Sequence, residues 1–305
     1  MTYNQLWKRL TAIYNEREAQ AIVRTVLDAL FGMSLTDICL GKVTQLSADD
    51  TTRLEKIMQR LEKSEPVQYV LGSEWFAGRL FDVAPGVLIP RPETEELVKW
   101  TCDEAKEKEK EDNSKEERGK EEKEVSKKGE EVPHPSILDI GTGSGCIAIT
   151  VALALPQARV TAWDISTDAL AIAAGNAHRL GASVRFEHQD ALSAPDDEER
   201  WDVIVSNPPY ICDRERADMS DNVLSYEPEL ALFVPDSDPL LFYRAIARYA
   251  SKALKPGGRL LFETNTAYAH EVAQTMANEG FTAIEVRNDC FGKPRMVKGA
   301  FIREE

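Results

Sequence analysis

Ile137-Leu138-Asp139-Ile140-Gly141-Thr142-Gly143-Ser144-Gly145-Cys146 is the stretch that decides the fold. Four residues, three of them strongly apolar, read as a strand. Three glycines at alternate positions follow, and an apolar helix opens near Gly145. Strand, glycine-rich turn and helix in that order begin a nucleotide-binding α/β sheet. The glycines permit positive φ and let backbone approach a ligand closely. The helix N-terminus offers N–H groups that have no partner within the helix. The spacing is Gly-x-Gly-x-Gly behind an acid, whereas a dinucleotide site shows G-x-G-x-x-G.

Beyond this stretch, strands alternate with helices to the end of the chain. Arg159–Trp163, Val184–Phe186, Trp201–Ser206 and Gly258–Phe262 read as strands, with two more near Ala283–Val286 and Met296–Phe301. Helical patterns cover Asp168–Leu180, Pro239–Leu254 and Ala267–Glu279. This alternation predicts a doubly wound, mostly parallel sheet. In such sheets ligands sit at the carboxyl ends of the strands, near the switch in strand order.

Upstream, residues 1–64 read as a small helical domain. Ala19, Ile22, Val23, Val26, Leu27 and Leu30 form one helical stripe, Gly32 ends it, and Ser47 caps a second helix carrying Leu54, Ile57, Met58 and Leu61. Residues 65–91 read as a connector built on a β-hairpin at Trp75–Val83, closed by Pro85-Gly86. Residues 92–305 read as the large α/β domain. It opens on a helix in which Pro92 suits the first position and the following acids suit the positive end of the dipole. Within it, 103–132 is almost entirely Glu and Lys. It is expected to be a disordered insert entered from a frayed helix, with nothing able to join a core.

The 305 residues are 43% hydrophobic, enough for one large and one small domain. No run of about 18 apolar residues predicts a membrane span, and the first ten residues lack a secretory h-region. Five scattered cysteines, with no Cys-x-x-Cys pair, fit reduced thiols in a cytoplasmic protein and suggest no metal site. A net charge of −15 argues against a broad nucleic-acid footprint.

Three further positions carry chemistry. Asp164 ends the second strand of the sheet, where an acid accepts ribose hydroxyls, although an N-cap would look the same. Asp190 follows the third strand and could accept from an adenine amino group. Ser206-Asn207-Pro208-Pro209-Tyr210-Ile211 follows the fourth. Pro208 biases Asn207 toward extended backbone, and both prolines fix φ, so the loop is stiff before a substrate arrives. The Pro208 carbonyl and the Asn207 side-chain oxygen are two acceptors for the two hydrogens of an –NH₂ group. Held so, its nitrogen faces a sulfonium methyl while Tyr210 packs on the flat group. That is catalysis by positioning and electrostatics.

These motifs resemble the amino-methyltransferases. Pro66-Val-Gln-Tyr-Val-Leu-Gly72, Leu88-Ile-Pro-Arg-Pro-Glu-Thr-Glu-Glu-Leu97, Asn207-Pro-Pro-Tyr-Ile211 and Asp289-x-x-Gly292-x-x-Arg295-Met-Val together resemble the HemK/PrmC family. The resemblance implies a class I methyltransferase fold and S-adenosylmethionine as cofactor. It implies methylation of the side-chain nitrogen of the glutamine in the Gly-Gly-Gln motif of peptide chain release factors. The cofactor site would comprise Asp139, Gly141, Thr142, Gly143, Ser144, Gly145, Asp164, Asp190, Ala191 and Asn207. Asn207, Pro208 and Tyr210 would be catalytic, with Pro209 completing the glutamine site. Ala191 stands where relatives often carry an aromatic residue, and Thr264 where a glycine is common after Glu263. The working unit is expected to be a monomer that touches neither nucleic acid nor membrane. A ribosomal-protein glutamine or a nucleic-acid adenine is the alternative acceptor. An NAD-dependent oxidoreductase would leave the Asn-Pro-Pro-Tyr loop without a purpose, and an adaptor devoid of catalysis would not need it intact.

Overall fold

Helices whose apolar residues recur every three or four positions, and short apolar strands, account for most of the chain. The computed structural model describes residues 1–121 and 134–302. These form two compact units. One contains Met1–Ser73, Val83–Pro85 and Asp218–Glu227; the other contains the remaining described residues.

The first unit holds helices α1 (Tyr3–Leu10), α2 (Glu16–Phe31), α3 (Leu35–Cys39), α4 (Ala48–Leu61) and α5 (Val67–Leu71). Side-chain caps set their starts: Thr2 accepts from Gln5 N–H, Asn15 from Glu18 N–H and Ser47 from Asp50 N–H. Gly32 ends α2 at φ 60°, a left-handed cap that favours glycine. Ala19, Val23, Val26 and Leu27 are buried against Leu6, Leu10, Leu54, Met58 and Leu61, with Ile22 and Leu30 half-buried beside them. The short α5 lies within the stretch read as connector. Its five residues are too few to show a helical period.

The second unit begins with the hairpin β1 (Ser73–Phe76) and β2 (Arg79–Asp82), whose first residue belongs to the other unit. Helix α6 (Pro92–Glu121) follows, then β3 (Ser136–Ile140), α7 (Cys146–Ala154), β4 (Arg159–Asp164), α8 (Thr167–Leu180) and β5 (Val184–His188). Next come β6 (Trp201–Ser206), β7 (Ile211–Cys212), α9 (Asp221–Tyr226, within the first unit), α10 (Glu229–Leu232) and β8 (Phe233–Val234). The chain continues through α11 (Leu241–Ala253), β9 (Leu254–Glu263), α12 (Ala269–Asn278), β10 (Phe281–Asn288) and β11 (Pro294–Phe301). Seven strands pair in the order β10-β11-β9-β6-β3-β4-β5, with β11 antiparallel to both its neighbours. The order reverses between β3 and β6, and both flanking layers bury apolar side chains on the sheet. The two-residue pair β7–β8 is too short for any periodicity and was not legible in the sequence.

The charged stretch 103–132, expected to be a disordered insert, is helical in its first part. Helix α6 runs through it to Glu121, and residues 122–132 lie outside the described residues. Leu97, Val98, Thr101, Glu104, Ala105 and Lys108 are buried on one helical face. The apolar stripe does not stop at residue 103. It continues in charged residues that find partners: the Glu104 carboxylate accepts from Trp100 Nε1 at 2.9 Å and pairs with Lys298 at 2.6 Å and Arg259 at 3.2 Å. Paired charges enter a core that unpaired ones could not.

Candidate active site

Strand register brings the sequence-predicted residues together. Ile140 lies beside Trp163 on one side and Ser206 on the other, and Ser206 lies beside Phe262. Gly141, Asp164, Asn207 and Glu263 are each the next residue along their chains. Four parallel strands therefore deliver these residues as one row at their carboxyl ends. Asp190 follows β5, whose His188 pairs with Asp164.

The glycine loop is built for close backbone packing. Gly141, Gly143 and Gly145 have φ of 77°, 55° and 82°. The N–H groups of Gly141 and Thr142 both donate to Trp163 O at 2.9 Å, tying the loop to β4. A Cβ at position 145 would stand 2.7 Å from Ile149 Cδ1 and 3.0 Å from Ala173 Cβ. Beneath the loop, Asp139 Oδ2 accepts from Thr142 Oγ1 at 2.7 Å and from Ala148 N–H at 3.2 Å. Burial pushes the Asp139 carboxyl up to about 7 against the pull of those two bonds. Its Oδ1 is buried with no hydrogen-bond partner among the described residues, which gives a cationic group of a bound cofactor an acceptor.

Asp164 is not an N-cap. Ser166 caps α8, accepting from Ala169 N–H. The Asp164 carboxylate instead accepts from Gly143 N–H at 2.8 Å and from Ser166 N–H at 2.9 Å, so it is held against the glycine loop. Each oxygen keeps acceptor capacity for a ribose hydroxyl. Asp190 Oδ1 accepts from Leu192 N–H and caps a single 3₁₀ turn, with Ala191 half-buried beside it. Asn176, which the sequence did not single out, is fully buried in α8. Its amide donates to Ser144 O at 3.0 Å and to Asp82 O at 2.9 Å, bracing loop against hairpin.

Ser206 Oγ donates to Ile140 O at 2.7 Å, locking together the ends of β6 and β3 just before their two loops. Pro208 is buried, and Asn207, Pro209 and Tyr210 are half-buried. The Tyr210 ring packs on the cluster containing Phe262 and Tyr243, and its hydroxyl donates to Glu263 Oε1 at 3.4 Å. Burial first, and then the Glu263 charge, raise the phenol's pKa. Asn265 Nδ2 donates to Tyr210 O at 3.3 Å and to the Glu215 carboxylate. Glu263 and Thr94, which sequence reasoning left without a role, stand beside this loop: Glu263 accepts from both Thr94 Oγ1 and the Tyr210 hydroxyl. Their signal was present in the Ile-Pro-Arg-Pro-Glu-Thr block and in the acid at the end of β9. Among the described residues no cluster of three or more His, Cys, Asp or Glu side chains could hold a metal ion, and no helix is long and apolar enough to cross a membrane.

A parallel sheet with a glycine loop, an acid on the next strand and an Asn-Pro-Pro-Tyr loop across the switch point defines an α/β methyltransferase. Residues 127–225 match the methyltransferase small domain, and residues 3–72 match the PrmC N-terminal domain. The chain is 44% identical over 289 residues to the release factor glutamine methyltransferase of Bacteroides thetaiotaomicron, spanning 94% of this chain and 95% of that one. It is 37% identical over 297 residues to that of Flavobacterium psychrophilum, spanning 97% of each. The chain belongs to the release factor glutamine methyltransferase family.

Proposed function

We propose that the protein transfers the methyl group of S-adenosylmethionine to the side-chain amide nitrogen of the glutamine in the Gly-Gly-Gln motif of peptide chain release factors. One observation carries this reading: the Asn207-Pro208-Pro209-Tyr210 loop leaves β6 beside the glycine loop, at the same level of the sheet. Bound S-adenosylmethionine supplies an electrophilic methyl group. Gly141, Thr142, Gly143, Ser144 and Gly145 cradle the cofactor with backbone, over Asp139. Asp164 accepts its ribose hydroxyls, and Asp190 with Ala191 borders the adenine. Asn207 Oδ1 and the Pro208 carbonyl oxygen accept the two amide hydrogens of the glutamine, while Pro209 and Tyr210 bound its plane. An amide nitrogen is a poor nucleophile because its lone pair is delocalised into the carbonyl. Acceptors on both hydrogens orient it and favour the return of electron density to nitrogen as it attacks, and one of the two hydrogens leaves as a proton as the methyl group takes its place.

Residues 92–305 carry the chemistry in this reading, with residues 1–64 as the helical accessory domain and 65–91 joining them. The protein works in the cytoplasm as a monomer, on a protein acceptor and not on nucleic acid. Incubation with S-adenosylmethionine and purified release factors, followed by peptide mass mapping, tests it. A methyl group on the Gly-Gly-Gln glutamine is expected. Transfer only to a ribosomal protein or to adenine in nucleic acid would overturn the acceptor assignment.

A further inference from the structure

We propose that Thr94 and Glu263 are positioning residues that hold the Asn207 side-chain amide in one orientation, with its oxygen left to accept from the substrate. The inference rests on the methyl-transfer reading above. It starts from an ambiguity in the chemistry of asparagine: rotating its amide by half a turn exchanges acceptor for donor at almost no steric cost. A site that needs an acceptor must therefore forbid that rotation.

The arrangement around Glu263 does so. Glu263 is 1% exposed, and β9 delivers it beside Asn207. An ionised carboxylate only accepts. Oε2 takes the Thr94 hydroxyl proton at 2.7 Å, and Thr94 itself is 2% exposed in the first turn of α6. A hydroxyl has one proton to give, so Thr94 Oγ1 presents only lone pairs to its other neighbour. That neighbour is the Asn207 amide, whose Nδ2 donates to it across a long 3.5 Å contact. The direction of donation is thus fixed from Glu263 outward, and Asn207 Oδ1 is turned away from Thr94. The second carboxylate oxygen accepts from Tyr210, so the same group also restrains the ring that follows the two prolines. Burial first, with the Glu93 charge, raises the Glu263 carboxyl above its ordinary range against the pull of Thr94, Arg295 and Tyr210, and it is the two hydroxyls donating to it, from Thr94 and Tyr210, that set the direction of the relay.

Thr94→Val removes the relay and keeps the shape, and Thr94→Ser keeps the hydroxyl. Single-turnover methyl transfer to a release factor, at saturating cofactor, should fall about tenfold or more in Thr94→Val and less than about threefold in Thr94→Ser. A double-mutant cycle separates positioning from general damage. Because Thr94 acts through Asn207, adding Thr94→Val to Asn207→Ala should cost little further rate. A full additional loss in the double variant, or a wild-type rate in Thr94→Val, would overturn the relay. A second readout needs no acceptor protein. The Asn207 side-chain N–H₂ signals in nitrogen-15 NMR should shift in Thr94→Val and be retained in Thr94→Ser; signals identical to wild type in Thr94→Val would also overturn it. Failure of the wild-type protein to methylate release factors, with those NMR shifts present, would remove the acceptor assignment alone.

Discussion

In the proposed reaction Asn207 is the residue on which transfer turns. Asn207→Ala removes one preorganised acceptor while leaving both prolines and β6 in place. Loss of one such partner costs about a hundred- to thousand-fold in rate. Single-turnover transfer at saturating cofactor isolates that step. A wild-type rate in the variant would leave the Asn-Pro-Pro-Tyr loop without its proposed role. Asp139 makes a second test at this scale, through stability. Its carboxyl is raised in the folded protein from an ordinary value of 3.8 to about 7. Between those values the folded state holds a proton that the unfolded chain has lost. The stabilisation is therefore complete below about pH 4 and disappears as pH rises to about 7, at up to about 1.4 kcal/mol per pH unit. Asp139→Asn keeps an acceptor for Thr142 and Ala148 and does not titrate. In thermal melts, the variant should gain on the wild type steadily from about pH 5 to about pH 7. A constant difference across that window would mean that Asp139 does not carry its proton into the fold.

At the scale of elements, α6 and the glycine loop show two ways of fixing geometry. Helix α6 carries Thr94 in its first turn, and its later turns are held by Glu104, which pairs with Lys298 on β11 and Arg259 on β9. Glu104→Ala leaves two partly buried cations short of a counter-charge. Breaking a buried pair by removing one partner costs on the order of 3 kcal/mol. Urea unfolding should show that loss, and a change below about 0.5 kcal/mol would place the pair among ordinary surface contacts. Two carboxylates near the start of α6, the exposed Glu95 and the half-buried Glu96, tie down neighbouring turns: Glu95 accepts from Ala77 N–H at 2.7 Å and Glu96 from Cys290 N–H at 2.8 Å. The start of this helix is thereby fixed to both the hairpin and the β10–β11 turn.

At the scale of the whole molecule, cofactor binding and folding are coupled. A ligand that binds only the folded state adds about 2.7 kcal/mol at a hundred times its Kd. S-adenosylmethionine should therefore raise the melting temperature in proportion to the logarithm of its concentration. Asp164→Ala would remove the proposed hydrogen bonds to the ribose, worth about 1.5–3 kcal/mol, or roughly ten- to hundred-fold in affinity. The cofactor series for that variant should be displaced to higher concentration by this factor. An undisplaced series in a folded variant would mean that Asp164 serves only to brace Gly143 and Ser166.

The alternation of strand and helix, the glycine loop and the Asn-Pro-Pro-Tyr loop were all legible in the residues alone. These are local: hydrophobic period, glycine at positive φ and proline at fixed φ act within a few residues of chain. The sequence placed Asp164 at the end of its strand, because an acid terminating an apolar run is visible in one dimension. It did not show that Asp164 grips the backbone of Gly143, that Asn176 braces the loop, or that Glu104 and Lys108 are buried in a stretch that looks wholly solvated. Nor did it show that Thr94 stands between Glu263 and Asn207, residues 169 and 113 positions away along the chain. Register between strands and the packing of α6 on the sheet decided those contacts. A buried polar group is tolerable only where its partner is brought to it, and that partner is supplied by the tertiary fold.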